Sequence, residues 1–502
     1  MLRDFRKRRR RGVILLMLTF SLAMLIPMAG LAFDVGLMYL IRTKLSAAVD
    51  AAVLAGARSL NRGLDLASQI ESARATAVQY FNANFPDGFF GTTGRSFTPT
   101  VAETGYRTRT VTGVASVTAP LYFLRLLGRE TATMSARATA SRRDVNLILV
   151  MDRSGSIEQA GATATVKSAA SAFVNKFAEG RDRVGLISFS GYWRLDFAPS
   201  MTFKTASPSI FDKINAMVMN GNTGYAEALW QAYSQLVTIN EPGALNVIVF
   251  FTDGRPTAVT ANFPVKTVSD RRYGDGAYPY SSTSSLYTMP ASSCSNSSPK
   301  FGFISAPVMS SSSWPPPVTG YSWGVMDADA TGTQDEWTVA ANSSGCNYYS
   351  TSGTDSTRRL RVRRDIAYIP DTDSHGTSTW GYKSYSSSEL FPSGHPYQGK
   401  IRVDSWRAVR YAAYNLADNT AQRVRNDASL VPIIFSIGMG CVGAGCGAEP
   451  IDHELLRRVA NDRDSPIFDS SKPAGLYVYA PTPAQLDQAF LRVASEILRL
   501  AE

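Results

Sequence analysis

Residues 145–156 read VNLILVMDRSGS. The apolar run VNLILVM (145–151) has the length of a strand buried on both faces. It ends in an acid and two hydroxyls at alternating positions, Asp152, Ser154 and Ser156. The same rhythm continues outward. Residues 163–178 read as a helix, RVGLISFS (183–190) as a strand and WRLDFA as a shorter one. SIFDKINAM and YAEALWQAYSQLV are helical, and NVIVFF (246–251) is the next buried strand. After a long gap come a helix at 404–426, the strand VPIIFSIG (431–438), a helix from His453 to Asn461, the strand LYVYA and a helix at 484–500. In that last helix Leu486, Ala489, Phe490, Val493, Ile497 and Leu500 form one apolar stripe. Strands alternating with helices predict an α/β fold, a doubly wound, mostly parallel sheet with helices on both faces.

The gap, residues 257–400, is rich in Ser, Thr, Tyr and Pro, most of all in SSSSWPPPVTGYSWG (310–324). Trp314, Trp323, Trp337 and the many tyrosines argue against a fully disordered segment. It reads as an irregular insertion into a domain made of 144–256 and 401–502, and it departs directly after Asp253.

Upstream the chain changes character. Residues 1–11, MLRDFRKRRRR, carry +6 of the net +10, so the charge lies in a basic tail. Gly12 to Phe33 is a 22-residue run without a charge, long enough to cross a hydrocarbon core of about 30 Å. A basic cluster before a span predicts a cytoplasmic N-terminus, with the bulk of the chain extracytoplasmic. For a bacterial chain that means a single pass through the inner membrane. The competing reading is a cleaved signal peptide, with Gly30-Leu31-Ala32 as a poor cleavage site. Against it, apolar character resumes after Asp34 in VGLMYLI. Residues 34–61 continue as an Ala-rich helix with Leu45, Ala48, Ala52 and Leu60 on one face, and 63–80 are helical too. Residues 96–120 alternate as a strand pair, PLYFLRLLGRE is a short apolar helix, and TATMSARATASRR a final strand. Residues 34–143 are thus an α+β stalk.

The four cysteines, Cys294, Cys346, Cys441 and Cys446, make no C-x-x-C pair, which argues against zinc. Pairings 294–346 and 441–446 are compatible with an oxidising compartment, but spacing does not fix them.

Two more oxygen donors stand where a site beside Asp152 needs them. Thr223 lies in NGNTGYAEAL, a Gly-bounded loop entering a helix, and Asp253 in VFFTDGRP, directly after a buried strand. In an open parallel sheet, ligands bind outside the carboxyl ends of the strands. Five oxygen donors suit a hard cation such as Mg²⁺. The plainer reading has Asp152 and the serines capping the helix that follows.

These features resemble two families. The basic tail, the apolar helix, AFDVGLMYLIRTKLSAAVDAAVLAGAR and APLYFLRLLGRETATMSARATA together resemble the TadE/TadG-like proteins of Flp (Tad) pilus assembly. Asp152-x-Ser154-x-Ser156, then Thr223, then Asp253 resembles the metal-ion-dependent adhesion site of von Willebrand factor type A domains. The resemblance implies that Ser154, Ser156 and Thr223 supply hydroxyls, with Asp152 and Asp253 acting mostly through water. It further implies that the ion stays electrophilic and accepts an acidic side chain from a protein partner, a pilus-assembly component. The alternatives are an adhesin gripping an external ligand through the metal, and a structural stalk whose metal stabilises the fold.

The other motifs are weaker. DADATGTQDEWT (327–338) spaces Asp327, Asp329, Gly332 and Asp335 like a calcium loop, but Thr338 stands where the bidentate Glu belongs, which favours an ordinary turn. DTDSHG (371–376) is weaker still, and His375, His395 and His453 show no ligand spacing. RRLRVRR (358–364) reads as a solvated face rather than a nucleic-acid site. No nucleophile elbow or phosphate loop appears, so the sequence does not suggest an enzyme.

Overall fold

The computed structural model describes residues 2–60, 66–105, 108–264, 299–306, 367–403, 405–440 and 451–501. The chain divides into two compact units, Met1–Arg143 with Ala501–Glu502, and Asp144–Leu500.

The first unit is built on one helix, α1 (Leu2–Ser59), which runs unbroken through Pro27. Membrane-type helices tolerate such a proline where neighbouring groups take over the freed carbonyl. From Leu16 to Leu31 its described side chains face outward on all sides except at Gly30. Burial then starts and follows helical spacing through Leu37, Ile41, Leu45, Ala48, Ala52 and Leu60. That face packs on α2 (Leu66–Asn84) and on an antiparallel sheet of β1 (Thr93–Gly105), β2 (Thr108–Pro120) and β3 (Thr131–Arg143), in the order β1-β2-β3. The short apolar helix expected between β2 and β3 is a single 3₁₀ turn, Leu124–Leu127, closed by Gly128 in the left-handed region. Among the described residues α1 is the one helix long and apolar enough to cross a membrane, over Leu16–Ser59, consistent with a single-pass membrane protein.

The second unit is the α/β fold expected from the strand rhythm. In chain order it contains β4 (Val145–Asp152), α3 (Gly155–Gln159), α4 (Thr163–Val174), β5 (Arg183–Phe189), β6 (Trp193–Ser200) and α5 (Ile210–Ala216). There follow α6 (Tyr225–Ile239), β7 (Leu245–Thr252), β8 (Ala258–Phe263) and β9 (Lys300–Ser305). The chain closes with α7 (Trp406–Arg425), β10 (Ile433–Met439), α8 (His453–Ala460), β11 (Tyr477–Ala480) and α9 (Leu486–Ala501). The main sheet has the order β11-β10-β7-β4-β5-β6. All its pairings are parallel except β5 with β6, an antiparallel edge. Every residue of β4 and β7 is buried, as strands covered on both faces must be.

Two polar residues interrupt these central strands. The Asn146 amide donates to Asn246 Oδ1 (3.0 Å), and the Asn246 amide donates to the carbonyls of Leu430 (3.0 Å) and Glu241 (3.1 Å). Both amide nitrogens and Asn246 Oδ1 thus find partners, which offsets most of the cost of hiding them from water, while Asn146 Oδ1 has none.

Where it is described, the insertion is irregular over 367–400, with only isolated bridges, but it also contains one regular strand pair. β8 and β9 form an antiparallel hairpin. Val259, Ala261, Phe263, Ile304, Ile369 and Ile401 join Ala408, Val409, Ala412 and Leu416 of α7 in a second apolar cluster. The insertion thus returns to the domain and covers the face of α7 that the main sheet does not.

Candidate functional site

Strands β4 and β7 are neighbours in register, Met151 opposite Phe251, so the residues that follow each strand emerge side by side. Asp152 closes β4 and is fully buried. Its Oδ1 accepts the Ser154 amide (2.7 Å) and its Oδ2 the Thr252 hydroxyl (2.5 Å). The Ser154 and Ser156 hydroxyls lie 2.9 Å apart. Both reach Asp253 Oδ1, from 3.3 Å for Ser154 and 2.8 Å for Ser156. Ser154 stands at the N-cap position of α3, yet its side chain makes no capping bond. The hydroxyl is turned into the cluster instead, which argues against the reading of these residues as helix caps.

Thr223 reaches the same place from a third loop. Its hydroxyl lies 3.9 Å from where a Cβ on Gly254 would stand, beside the turn that carries Asp253. Gly155 N–H donates to the Gly221 carbonyl (3.1 Å), Asn220 N–H to that of Arg153 (2.6 Å) and Gly224 N–H to that of Ser190 (2.6 Å). These bonds lace the 220–224 loop to the ends of β4 and β5. Gly224 is needed for the last of them, since a Cβ there would come within 2.8 Å of the Gly191 carbonyl oxygen. All five residues singled out in the sequence therefore converge at the carboxyl edge of the sheet.

Three further residues hold the site, and sequence reasoning gave them no role. Thr252 binds Asp152 directly. Tyr225, buried under the loop, donates to the Gly254 carbonyl, and its oxygen lies 3.2 Å from the Thr252 hydroxyl. Burial pushes its phenol well above the usual range, so it remains a donor. Thr257 accepts the Thr223 amide on its hydroxyl (3.0 Å), and its own N–H returns to the Thr223 carbonyl (2.7 Å). Ala306 N–H donates to the Thr257 carbonyl (2.8 Å), so both ends of the β8–β9 hairpin meet beside Thr223. The signal for Thr252 and Tyr225 lay in the quoted stretches themselves, as the residue before Asp253 and the second after Thr223.

Two carboxyls are buried side by side at this edge of the sheet. Burial pushes Asp152 up to about 6. Burial, and then the Asp152 charge beside it, push Asp253 up to about 7. A cation among these oxygens would reverse both shifts by favouring the ionised forms. The donor set fits a hard ion in three respects: it is all oxygen, hydroxyl-rich and drawn from three loops that the backbone holds together. Among the described residues there is no group of three or more His, Cys, Asp or Glu that could hold a metal ion, so any ion here would rely on hydroxyls.

The remaining motifs are accounted for locally. Asp373 Oδ1 accepts the amides of His375 (2.9 Å) and Thr377 (2.7 Å), which makes DTDSHG a closed polar turn. His375 pairs with Glu227, His395 stacks on Phe391, and His453 bonds the Tyr477 hydroxyl (2.6 Å). The four cysteines, the calcium-like stretch 327–338 and RRLRVRR lie outside the described residues.

A doubly wound sheet with an Asp-x-Ser-x-Ser loop, a Thr loop and an Asp at adjacent strand ends defines a von Willebrand factor type A domain. The family model for that domain matches residues 146–275. A second model, described as Flp pilus-assembly TadE/G-like, matches residues 12–59. The chain therefore carries a TadE/G-like segment at 12–59 and a von Willebrand factor type A domain over 146–275.

No curated protein matches the chain. Among solved structures it is similar to the PilB minor pilin from Streptococcus sanguinis, at 13% identity over 82% of this chain and 79% of that one, TM-score 0.33. It is also similar to the vWF domain of the type V pili tip protein Mfa5 from Porphyromonas gingivalis, at 15% identity over 72% and 98%, TM-score 0.35. A third is proximal thread matrix protein 1 from the mussel byssus with a zinc-occupied MIDAS motif, at 10% identity over 70% and 47%, TM-score 0.31.

Proposed function

We propose that this protein is a membrane-anchored, extracytoplasmic binding module that takes part in assembling or anchoring a Tad/Flp pilus. Its von Willebrand domain grips a protein partner through Mg²⁺ or another divalent cation. Ser154, Ser156 and Thr223 supply hydroxyls to that ion, and the carboxylates of Asp152 and Asp253 act mostly through water. The observation that carries the reading is the Ser154 side chain, which forgoes its capping bond to face Ser156 and Asp253. When bound, the ion offers an open position to a carboxylate from the partner. Few charged groups touch it from this chain, so its pull on an incoming acid stays strong. The role is one of binding rather than catalysis.

The TadE/G-like segment supports a place in pilus assembly. The long apolar α1 supports anchoring, with the basic residues 1–11 on the cytoplasmic side of the inner membrane. The test is crosslinking capture from intact membranes, in Mg²⁺ against EDTA and for wild type against Asp152→Ala. Capture of pilus-machinery proteins, lost with EDTA and with the variant, is the expected result. The same partners held regardless of metal would reduce the ion to a structural role, and capture of external proteins alone would make the chain an adhesin.

A further inference from the structure

The loop between β2 and β3 is built unlike a solvent loop. Its sequence, LYFLRLLGRE over 121–130, places apolar side chains outward: Tyr122 is 53%, Leu126 82% and Leu127 78% exposed. A soluble turn of this length exposes polar residues instead.

The loop is fixed to one level of α1. The buried Asp34 carboxylate accepts three consecutive amides, Tyr122 at 3.0 Å on Oδ1, and Phe123 (2.9 Å) and Leu124 (2.7 Å) on Oδ2. Phe33 meets the rings of Tyr122 and Phe123 edge-on, with centroids 6.1 and 5.9 Å apart. The Phe123 ring lies directly on the helix backbone at Gly30, where a Cβ would come within 2.3 Å of it. Gly30 belongs to the uncharged run 12–33 and lies about 6 Å along the helix before Asp34. Whatever surrounds the end of that run therefore surrounds Phe123.

The backbone of the loop is prepared for such a place. Besides the three amides on Asp34, Leu121 N–H donates to the Glu130 carbonyl (2.9 Å), Leu126 to Phe123 (3.1 Å), Gly128 to Arg125 (3.0 Å) and Arg129 to Leu124 (3.1 Å). Hydrocarbon penalises a backbone donor without a partner, and seven amides of this loop are satisfied by Asp34 or by the loop itself. Exposed Arg125 and Arg129 flank the two leucines, and such side chains can pair with phosphate headgroups. An apolar groove lined by Phe33, Leu37, Leu40, Phe90 and Tyr122 continues the surface on the side away from the span.

We infer that the 121–129 loop is a membrane foot. Phe123, Leu126 and Leu127 enter the phospholipid interface of the leaflet through which α1 leaves, and Tyr122 lies at headgroup level. The inference rests on the reading of α1 as a membrane span. Continuity with the exposed apolar surface of α1 selects a lipid surface as the occupant. Its consequence is that the first unit has two attachments to the bilayer and a restricted tilt over it.

The test uses the full chain reconstituted in phosphatidylcholine–phosphatidylglycerol vesicles. A nitroxide is attached through a genetically encoded ketone residue, which leaves the native cysteines alone. It replaces in turn Leu126, Leu22 within the span, and Ala102 at the far end of the β1–β2 pair. Collision with oxygen and with a soluble nickel chelate is then read. The expected result is that the label at 126 loses nickel access and keeps oxygen access, as at 22, while 102 does the opposite. Nickel access at 126 with none at 22 would overturn the foot and leave the span standing. Shielding of 126 from both reagents would overturn it in favour of a protein contact, such as a second copy of the chain. Nickel access at 22 would remove the span reading, and the foot with it.

Discussion

The Ser156 hydroxyl donates to the Asp253 carboxylate over 2.8 Å, joining residues 97 apart in sequence. The contact exists because β4 and β7 run parallel in register, so that the loops after them start level. If these oxygens hold a cation, the bond marks the place where the ion would stand.

Divalent cation should therefore stabilise the fold. At a hundredfold excess over its dissociation constant, Mg²⁺ adds about 2.7 kcal/mol to the unfolding free energy. Melting of the full chain in detergent, with Mg²⁺ and with EDTA, reads this directly. Asp253→Ala should abolish the difference. It should not lower stability in EDTA, because it removes a buried acid that burial already disfavours.

The affinity should also depend on pH in a defined direction. Burial raises Asp152 to about 6, and burial with the Asp152 charge raises Asp253 to about 7. Protons compete with the ion below those values, so Mg²⁺ binding tightens as pH rises through this window and levels off above it. Calorimetric titration across the window is the measurement. A flat profile would mean that the carboxylates are not near the ion.

Much of this was legible in the sequence, and the parts that were not share a cause. Apolar runs such as VNLILVM and NVIVFF announce buried strands because both faces of a parallel strand must be dry, and the donors just beyond them follow from the same topology. The Asn146–Asn246 pair was invisible, since one asparagine in each run reads as a blemish until the strands lie side by side. Thr252 and Tyr225 escaped notice because their function is to hold other residues, and a supporting hydroxyl is marked only by its place beside a donor. The β8–β9 hairpin escaped because its partner strand lies beyond a low-complexity stretch, and strand pairing over such a distance leaves no local pattern.

The His375–Glu227 pair ties the turn 371–377 to α6, with the imidazole stacked on Trp230 and the Arg423 guanidinium 4.5 Å from the same ring. Burial opposes the charged ring, but Glu227 and then Asp373 outweigh it, and the His375 pKa is raised. A raised folded value means that the stabilisation is present in full below the ordinary histidine range and fades as pH rises through the folded pKa. Hydrogen exchange in 371–377 should accelerate over that rise in wild type, and Glu227→Gln should flatten the response.

Asp418 on α7 receives Arg458 of α8 through two bonds, Nε at 3.1 Å and Nη2 at 2.6 Å, with both side chains buried. Removing one partner leaves the other charge stranded, so Asp418→Ala should cost about 3–5 kcal/mol. Denaturant unfolding of the full chain in detergent measures it. The double change Asp418→Leu with Arg458→Met should recover most of the loss, because the penalty comes from the unpaired charge.

Asp34 sits where the uncharged run ends, and its carboxylate is the partner of the Tyr122, Phe123 and Leu124 amides. Asp34→Ala orphans all three at once. Each lost charge-assisted bond is worth about 1.5–3 kcal/mol, but the released loop can turn its amides to water and recover part of that. The expected outcome is thus local release rather than global unfolding. In detergent, trypsin should cut at Arg125 and Arg129 faster in Asp34→Ala than in wild type, while the melting temperature moves little. Asp34→Asn keeps an oxygen acceptor but loses the charge, and should fall between the two. Equal cleavage in all three proteins would show that packing of Phe123 against Gly30 and Phe33 holds the loop without the carboxylate.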